Sequence, residues 1–463
     1  MVALTRPPTK NVVVIGASYA GARAAELLSR TLPSTHRVVV IDRQSHFNHL
    51  YLHPRVSVVP GHARKVFVPY KTLLPAESDP RPAGHVLIHA GATKITEQYV
   101  ELDRDLLEHE RDMEGDEEEV EKLTEELEDA KLDAVKSKKA LAGRRIKWDY
   151  MVYALGCTLP PPLYSLARTK KTGVAFLEAQ QATISAASSI LIAGGGALGI
   201  QYATDIADLY NNSENAHHLP ESCQPAKKKR ITIVHSRDRF LPLYKQEVHD
   251  EVTRRLEELG VDVVLGERLT LPEDDKLGET KRVVTSTGKV IEYDLLMRCT
   301  GQKPNSQLMR DFLPETINDH GFVKVRPTLQ IDASDVSPKR FSEKLNRIYP
   351  IGDVADAGVI KAGHTGWNQA GVIVQNIMCS LAPDYLDPTT EELNGKKEFK
   401  LTEYEKSPPQ IKVTLGLRHS VSELLPSMDA KETQIKISDE GKVDGHYDAI
   451  WRNMGADPSD LDA

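Results

Sequence analysis

Two short runs in this chain place small residues in an order that can hold a phosphate. Gly16-x-Ser18-x-x-Gly21 follows the apolar stretch Val12 to Ile15, and Gly194-x-Gly196-x-x-Gly199 follows the apolar stretch Ile190 to Ala193. The first small residue lets the chain turn sharply, the second lets backbone approach a pyrophosphate, and the third lets the next helix pack closely on the strand. Phosphate then sits on the free N–H groups of that helix end. The first run has Ser18 where the motif has glycine, so alone it reads either as a dinucleotide turn or as a chance glycine turn. Asp42, with Arg43 beside it, ends the next apolar strand about where an acidic residue bonds a ribose, and this favours the dinucleotide reading. Two such units imply two dinucleotides, or two halves of an electron path.

The second unit ends its next strand in His235-Ser-Arg237-Asp-Arg239. An acidic residue there selects NADH through the 2′-hydroxyl, whereas arginine accommodates a 2′-phosphate, so Arg237 and Arg239 lean toward NADPH. The alternative is a pair of exposed loop arginines. Later, Gly352-Asp353 ends another strand and precedes the apolar helix Thr365–Leu381. Asp353 there can bond a sugar-alcohol chain while the helix N-terminus stabilises negative charge on a ring above it; the plainer alternative is an N-cap. Lys361 and Gly363-His364-Thr-Gly-Trp-Asn368 form the connecting turn and are expected to floor a redox site, unless Lys361 is a surface residue or the partner of a nearby carboxylate.

These residues need a scaffold, and the chain supplies its parts in order. Val12–Ile15 and Val38–Ile41 read as buried parallel strands, with a helix Ala20–Leu28 between them. Buried strands ending in Gly156 and in Thr300-Gly301 close the two units, and prolines 160 to 162 mark a crossing between domains. From Arg104 to about Lys139 the composition turns to Glu, Asp, Lys and Leu, with Val120, Leu123, Leu127 and Leu132 at helical spacing. This reads as a charged helical insertion at a loop, either solvated or a partner-binding coiled coil. The histidine-rich loop Ser45–Pro54 lacks an acidic or cysteine partner, so no metal is expected. Lys227-Lys-Lys-Arg230 precedes a strand and reads as an ordinary charged flank rather than a nuclear-localisation patch.

A chain of 463 residues holds two or three domains, and its 40% hydrophobic content and net charge of −8 give no reason to expect nucleic acid as the main partner. Its four cysteines, at 157, 223, 299 and 379, form no C-x-x-C pair, which argues against a sequence-adjacent redox dithiol and suits a reducing compartment. Met1–Lys10 is too short and polar for a signal peptide, Val2 excludes N-myristoylation, and no apolar run approaches the roughly 20 residues of a membrane span.

In this order the pieces resemble the two-dinucleotide-binding-domain flavoprotein reductases of the glutathione-reductase-like superfamily. Within it they are most similar to the apoptosis-inducing-factor-like and ferroptosis-suppressor flavoproteins and their fungal homologues. The likeness rests on Ser45-His-Phe-Asn-His49, Gly194-Gly-Gly-Ala-Leu-Gly-Ile-Gln201, Ile233-Val-His-Ser236, Cys299-Thr-Gly301, Ile351-Gly-Asp-Val-Ala-Asp356 and Lys361. It implies an α/β fold with two Rossmann-like domains: FAD-binding parts at 10–158 and 301–382, an NAD(P)H-binding domain at 159–300, a small α+β region at 383–463, and the insertion at 104–140. Gly16, Ser18, Gly21, Asp42, Arg43, Gly156, Gly352 and Asp353 would hold FAD. Gly194, Gly196, Gly199, His235, Arg237, Arg239 and Gly301 would hold NADPH or NADH. Lys361, Gln201 and His364 would serve the chemistry, in which hydride passes from NAD(P)H to the flavin and electrons pass on to a quinone-like acceptor. An iron–sulfur protein as acceptor, or a slow signalling flavoprotein, stays open. The resemblance also implies a cytoplasmic protein, with a peripheral membrane or mitochondrial-surface contact and a homodimer left open. Gln201 departs from the family's frequent Glu; it keeps the hydrogen bonding but cannot ionise. The insertion and the absent lipidation signal are further departures.

Overall fold

A computed structural model of the chain describes residues 10–70, 73–74, 84–107, 143–160, 163, 165–221, 227–272, 280–381, 392–393, 396–397, 400–427 and 430–463. The expected charged insertion lies outside the described residues from 108 onward, and so does Cys223.

The first half of the chain supplies β1 (Lys10–Ile15), α1 (Tyr19–Thr31), β2 (His36–Asp42), β3 (Val86–His89), β4 (Tyr150–Tyr153), α2 (Lys170–Ala186), β5 (Ser189–Ala193), α3 (Ala197–Tyr210) and β6 (Arg230–Val234). There follow α4 (Gln246–Glu258), β7 (Asp262–Val264), β8 (Leu295–Arg298), β9 (Ile348–Pro350), α5 (Gly363–Leu381), β10 (Ile411–Thr414), β11 (Ser420–Leu424) and β12 (Gln434–Ser438). Chain contacts divide these elements into two compact units.

The first unit comprises residues 1–45, 71–157 and 303–406. Its five-stranded sheet runs β9-β4-β1-β2-β3, parallel throughout, with Val12 to Ile15 in register with Val38 to Ile41. These β-branched side chains are 0–1% exposed, which is why the strands read as unbroken apolar runs: a parallel sheet is covered on both faces. The order reverses direction between β1 and β4, and in doubly wound sheets the crevice at that reversal is where ligands bind.

The second unit comprises residues 46–70, 158–302 and 407–463. Its parallel sheet runs β7-β6-β5-β8, and the order reverses between β5 and β8. Thr169 and Thr172 form a capping box that starts α2. At the other end of α2, the Lys229 ammonium donates to the carbonyls of Ser185 and Ala187, so one lysine of the basic run is buried as a helix terminator and does not belong to a surface patch.

Two segments sit elsewhere than the sequence division puts them. Residues 46–70, expected within the first domain, belong to the second unit, and so do residues 407–463, expected as a separate C-terminal region. The physical reason is burial. Val58 and Val59 share a core cluster with Ile190, Ile200 and Val252, and Val413, Leu415 and Val421 join the same cluster. Each such aliphatic side chain contributes about 1.5–3 kcal/mol by leaving water. Polar staples add register: Trp451 donates its indole N–H to the Lys65 carbonyl at 2.7 Å, and Gln181 bonds the Val56 carbonyl at 2.6 Å. Residues 407–463 form their own antiparallel sheet, β10-β11-β12.

Candidate functional site

In the first unit the glycine turn lies at the reversal point of the sheet. Gly16 has φ +94°, and a Cβ there would stand 2.6 Å from the Ala154 carbonyl oxygen at the end of β4. A Cβ on Gly21 would meet the Gly16 carbonyl oxygen at 1.8 Å, so α1 presses its first turn directly onto the loop. Ser18 is the N-cap of α1 and makes no capping bond with its side chain, and no acidic residue occupies the first turn. The helix itself thus brings neither a side-chain cap nor a first-turn acid to its positive end, which suits an incoming phosphate. Asp42 ends β2 and reaches the turn: its carboxylate accepts from the Ala17 N–H at 2.5 Å and from the Gln44 N–H at 2.7 Å. Burial raises its pKa above the ordinary carboxylate value and these backbone bonds oppose the rise. Arg43 is exposed beside it. Gly156, at φ +61°, follows β4 and accepts from the Asn305 N–H at 2.9 Å.

The late Gly-Asp converges on the same place. Gly352 has φ +72°, donates its N–H to Gln369 Oε1 at 2.7 Å, and leaves only 3.1 Å between a Cβ there and the Cβ of Ala20 on α1. Gly366 on α5 is as tight, with its would-be Cβ 2.8 Å from the same Ala20 atom. Small residues thus let α1, the Gly352 turn and α5 meet backbone to backbone. Asp353 follows Gly352; burial raises its pKa, and Lys361 counters that. The Lys361 ammonium donates to the Ala355 carbonyl and lies 4.4 Å over the Phe322 ring. Burial lowers its pKa while Asp353 and Asp356 hold it up. The Cys157 thiol donates to the Asp353 carbonyl at 3.3 Å, and burial pushes its pKa up to about 12. His364 is exposed on the first turn of α5. The first unit thus gathers Gly16, Ser18, Gly21, Asp42, Gly352 and Asp353 around the start of α1, with Lys361 beside Asp353.

The second unit repeats the turn. Gly194 has φ +116°, with a would-be Cβ 2.4 Å from the Cys299 carbonyl oxygen, and a Cβ on Gly199 would meet the Gly194 oxygen at 1.9 Å. Gly196 is the exposed N-cap of α3 and has nothing within 4 Å of its would-be Cβ, so a ligand has free approach to the backbone there. His235 follows β6, and its Nδ1 accepts from the Gly195 N–H at 3.2 Å. The acceptor role assigns the proton to Nε2. Burial lowers the His235 pKa and the neighbouring Arg237 adds to that, which keeps the acceptor lone pair in place at neutral pH. The His235 ring stacks on Phe240 at 5.9 Å, and a Cβ on Gly195 would come within 2.6 Å of Phe240. Gly195 and Phe240 were not legible as site residues, because the ring reaches the turn from five residues beyond His235. Gly301, at φ +73°, is exposed and open.

The two arginines part company. Arg239 turns back on its own loop, with Nη1 on Gln246 Oε1 at 2.9 Å and Nη2 on the Tyr244 carbonyl. Arg237 is exposed, and its carbonyl accepts from the Gly266 N–H. Of the two, Arg237 is therefore the one expected to meet a 2′-phosphate. Arg237→Ala should weaken NADPH binding about 10-fold, the loss of a charge-assisted contact softened by solvent, and leave NADH binding unchanged. Titration calorimetry with both coenzymes checks this; equal losses for both would return Arg237 to the loop surface.

Gln201, on the second turn of α3, donates its Nε2 to Thr414 Oγ1 at 3.1 Å. Among the described residues no group of three or more His, Cys, Asp or Glu side chains is placed to hold a metal ion, and no helix is long and apolar enough to cross a membrane. His53 of the histidine-rich loop is buried, with its pKa lowered to about 4.

Known proteins match this chain over most of its length. The family described as pyridine nucleotide-disulphide oxidoreductase matches residues 10–370. Fe-regulated protein 8 of Mycosarcoma maydis is 36% identical over 464 residues, 98% of this chain and 96% of its own. Ferroptosis suppressor protein 1 of Homo sapiens is 23% identical over 381 residues, 80% of this chain and 81% of its own. Among solved structures, the sulfide:quinone oxidoreductase of Aquifex aeolicus superposes with a TM-score of 0.63 at 13% identity, covering 96% of this chain and 90% of that one, a likeness of fold.

Proposed function

The chain belongs to the pyridine nucleotide-disulphide oxidoreductase family, and from that premise we propose that it carries electrons from NAD(P)H through FAD to a small quinone-like acceptor. It is a flavoprotein oxidoreductase whose cofactors are FAD and a pyridine nucleotide. The close packing at Gly16, Gly21 and Gly352 supports the first of these: small residues draw the turn, β4 and the late Gly-Asp together at the start of α1, where a pyrophosphate would sit. The open Gly196 fits the second. When bound, FAD supplies a centre that takes hydride from the nicotinamide.

The protein's part is to bind, orient and stabilise. Gly16, Ser18 and Gly21 would hold the flavin nucleotide's pyrophosphate, Asp42 its ribose, and Asp353 its sugar-alcohol chain. The N-terminus of α5 and the ammonium of Lys361 would supply positive potential beside the ring when it is bound. The observation that favours a diffusible acceptor is the state of the cysteines. No two of the four stand in a C-x-x-C pair, and Cys157, next to Asp353, stays a thiol at neutral pH, its pKa near 12. A sequence-adjacent dithiol would therefore not stand between the flavin and its acceptor.

Two measurements test this. Anaerobic stopped-flow bleaching of the flavin should be about 10–100-fold slower in Lys361→Ala with FAD content unchanged, because the charge acts mostly in the transition state. Equal rates would place Lys361 outside the site. Steady-state oxidation of NADPH should be fastest with quinones. Faster turnover with a ferredoxin, falling steeply with ionic strength, would replace the quinone reading by a protein acceptor.

A further inference from the structure

The C-terminal residues from 407 onward, which carry no recognisable motif, reach the helix that begins at the second glycine turn. We propose that Thr414 is a positioning residue for Gln201, holding its carboxamide in the orientation that meets the nicotinamide end of the coenzyme. The inference rests on the NAD(P)H reading of the second unit given above.

Helical side chains lean toward the N-terminus, and residues four apart stack on one face. Gln201 therefore leans over Ala197, the first residue of α3, toward the phosphate-binding end. It is half-buried, its Nε2 donates to Thr414 Oγ1, and no described residue bonds its Oε1. The engaged nitrogen leaves the oxygen as the group's acceptor, and the carboxamide N–H of a nicotinamide is a donor of matching kind.

What makes Thr414 more than a chance neighbour is how firmly the same helix holds the turn behind it. Asp205 and Asp208 lie four and seven residues beyond Gln201, on one face of α3. The Asp208 carboxylate accepts from the Leu417 N–H at 2.8 Å and stands 2.6 Å from a would-be Cβ of Gly416, so only glycine fits there. Asp205 grips Arg55 through two bonds of 2.8 Å, and Arg55 in turn donates to the carbonyls of Gly416 at 2.6 Å and Leu417 at 2.9 Å. Arg255, from α4, donates to the Leu415 carbonyl at 3.1 Å. The turn 415–417 is thus fixed to α3 at two points, and Thr414, the residue before it, meets Gln201 at a third. A hydroxyl placed this way locks the rotamer of a long, otherwise mobile side chain.

The test compares Thr414→Val, which removes the hydroxyl at nearly constant volume, with Thr414→Ser, which keeps it. In the holoenzyme, Val should slow flavin reduction by NAD(P)H about 5–10-fold, one hydrogen bond's worth, with the coenzyme dissociation constant within about twofold of wild type; Ser should restore most of the rate. In a Gln201→Ala background, Thr414→Val should cost nothing further, whereas a purely structural role gives additive losses. The side-chain amide resonance of Gln201, assigned by its loss in Gln201→Ala, provides a readout apart from turnover. In the unaltered protein it should show a protected, hydrogen-bonded proton that becomes solvent-exchanging in Thr414→Val. An unprotected Gln201 amide in wild type, or a Val variant that reduces flavin at the wild-type rate, overturns the inference. If Gln201→Ala itself leaves flavin reduction unchanged, it is the coenzyme reading of this helix that fails.

Discussion

Gly21→Ala is expected to yield protein without flavin, and Gly199→Ala protein that keeps its flavin but no longer binds the pyridine nucleotide. The added methyl at Gly21 would lie 1.8 Å from the Gly16 carbonyl oxygen, and at Gly199 it would lie 1.9 Å from the Gly194 oxygen. Neither oxygen has room to yield, since each belongs to a turn already at positive φ and backed by the neighbouring strand end. Helix α1 cannot retreat either, because Gly352 and Gly366 close on Ala20 from its other side. The strain of such overpacking, on the order of 2–3 kcal/mol or more, falls on the phosphate-binding geometry and should cost about 30–100-fold or more in affinity. The flavin absorbance per protein and calorimetry with NADPH read the two effects separately. Gly371→Ala on α5 is the control: nothing lies within 4 Å of its would-be Cβ and its φ is not positive, so it should keep the flavin and gain about 0.5–1 kcal/mol of stability. Gly21→Ala protein with full flavin would show that the first turn does not hold it. Loss of flavin from Gly199→Ala instead would reverse the assignment of the two turns.

The second large effect is expected away from the chemistry, at Arg55. Its side chain is 4% exposed and that of Asp205 0%, and the guanidinium also satisfies the carbonyls of Gly416, Leu417 and Val443. Arg55→Met leaves a buried carboxylate without its cation and three carbonyls without donors, which should destabilise the second unit by about 3–5 kcal/mol. That is a large fraction of the roughly 5–15 kcal/mol that holds a domain folded. The pH dependence has a definite sign. Burial already raises the Asp205 pKa and Arg55 opposes the rise, so removing Arg55 lifts it further. A carboxyl whose folded pKa lies above its unfolded value favours the folded state when protonated and loses that contribution as the pH rises through the folded pKa. The deficit of Arg55→Met should therefore shrink toward acid pH and be largest at neutral pH and above. Chemical denaturation of both proteins across that range measures it; a deficit under about 1 kcal/mol at neutral pH would mean that the cluster does not clamp the C-terminal turn.

The sequence by itself determined the two strand, glycine-turn and helix units, their order and the family. Those features are local. Whether Gly16 or Gly194 can take positive φ, and whether Gly21 or Gly199 clears a carbonyl, is decided within about ten residues by backbone sterics, and burial on both faces of a parallel sheet writes itself as unbroken valine and isoleucine. The turn at Gly352, with its positive φ, is local in the same sense, but its approach to Ala20 is not. Tertiary structure alone decided the rest. Arg237 and Arg239 are equivalent as letters, and only the fold of their loop gives Arg239 to Gln246 and Tyr244. Lys361 could be read as near a ring or on the surface, and packing set it between the Ala355 carbonyl and Phe322. Residues 46–70 and 407–463 join the second unit through pairs as remote as Arg55 and Asp205, 150 residues apart, and Gln201 and Thr414, 213 apart. No periodicity records such pairs. Each depends on where distant elements come to rest once the cores that enclose them have formed, and a buried arginine or a half-buried glutamine takes whatever partner that packing brings within reach.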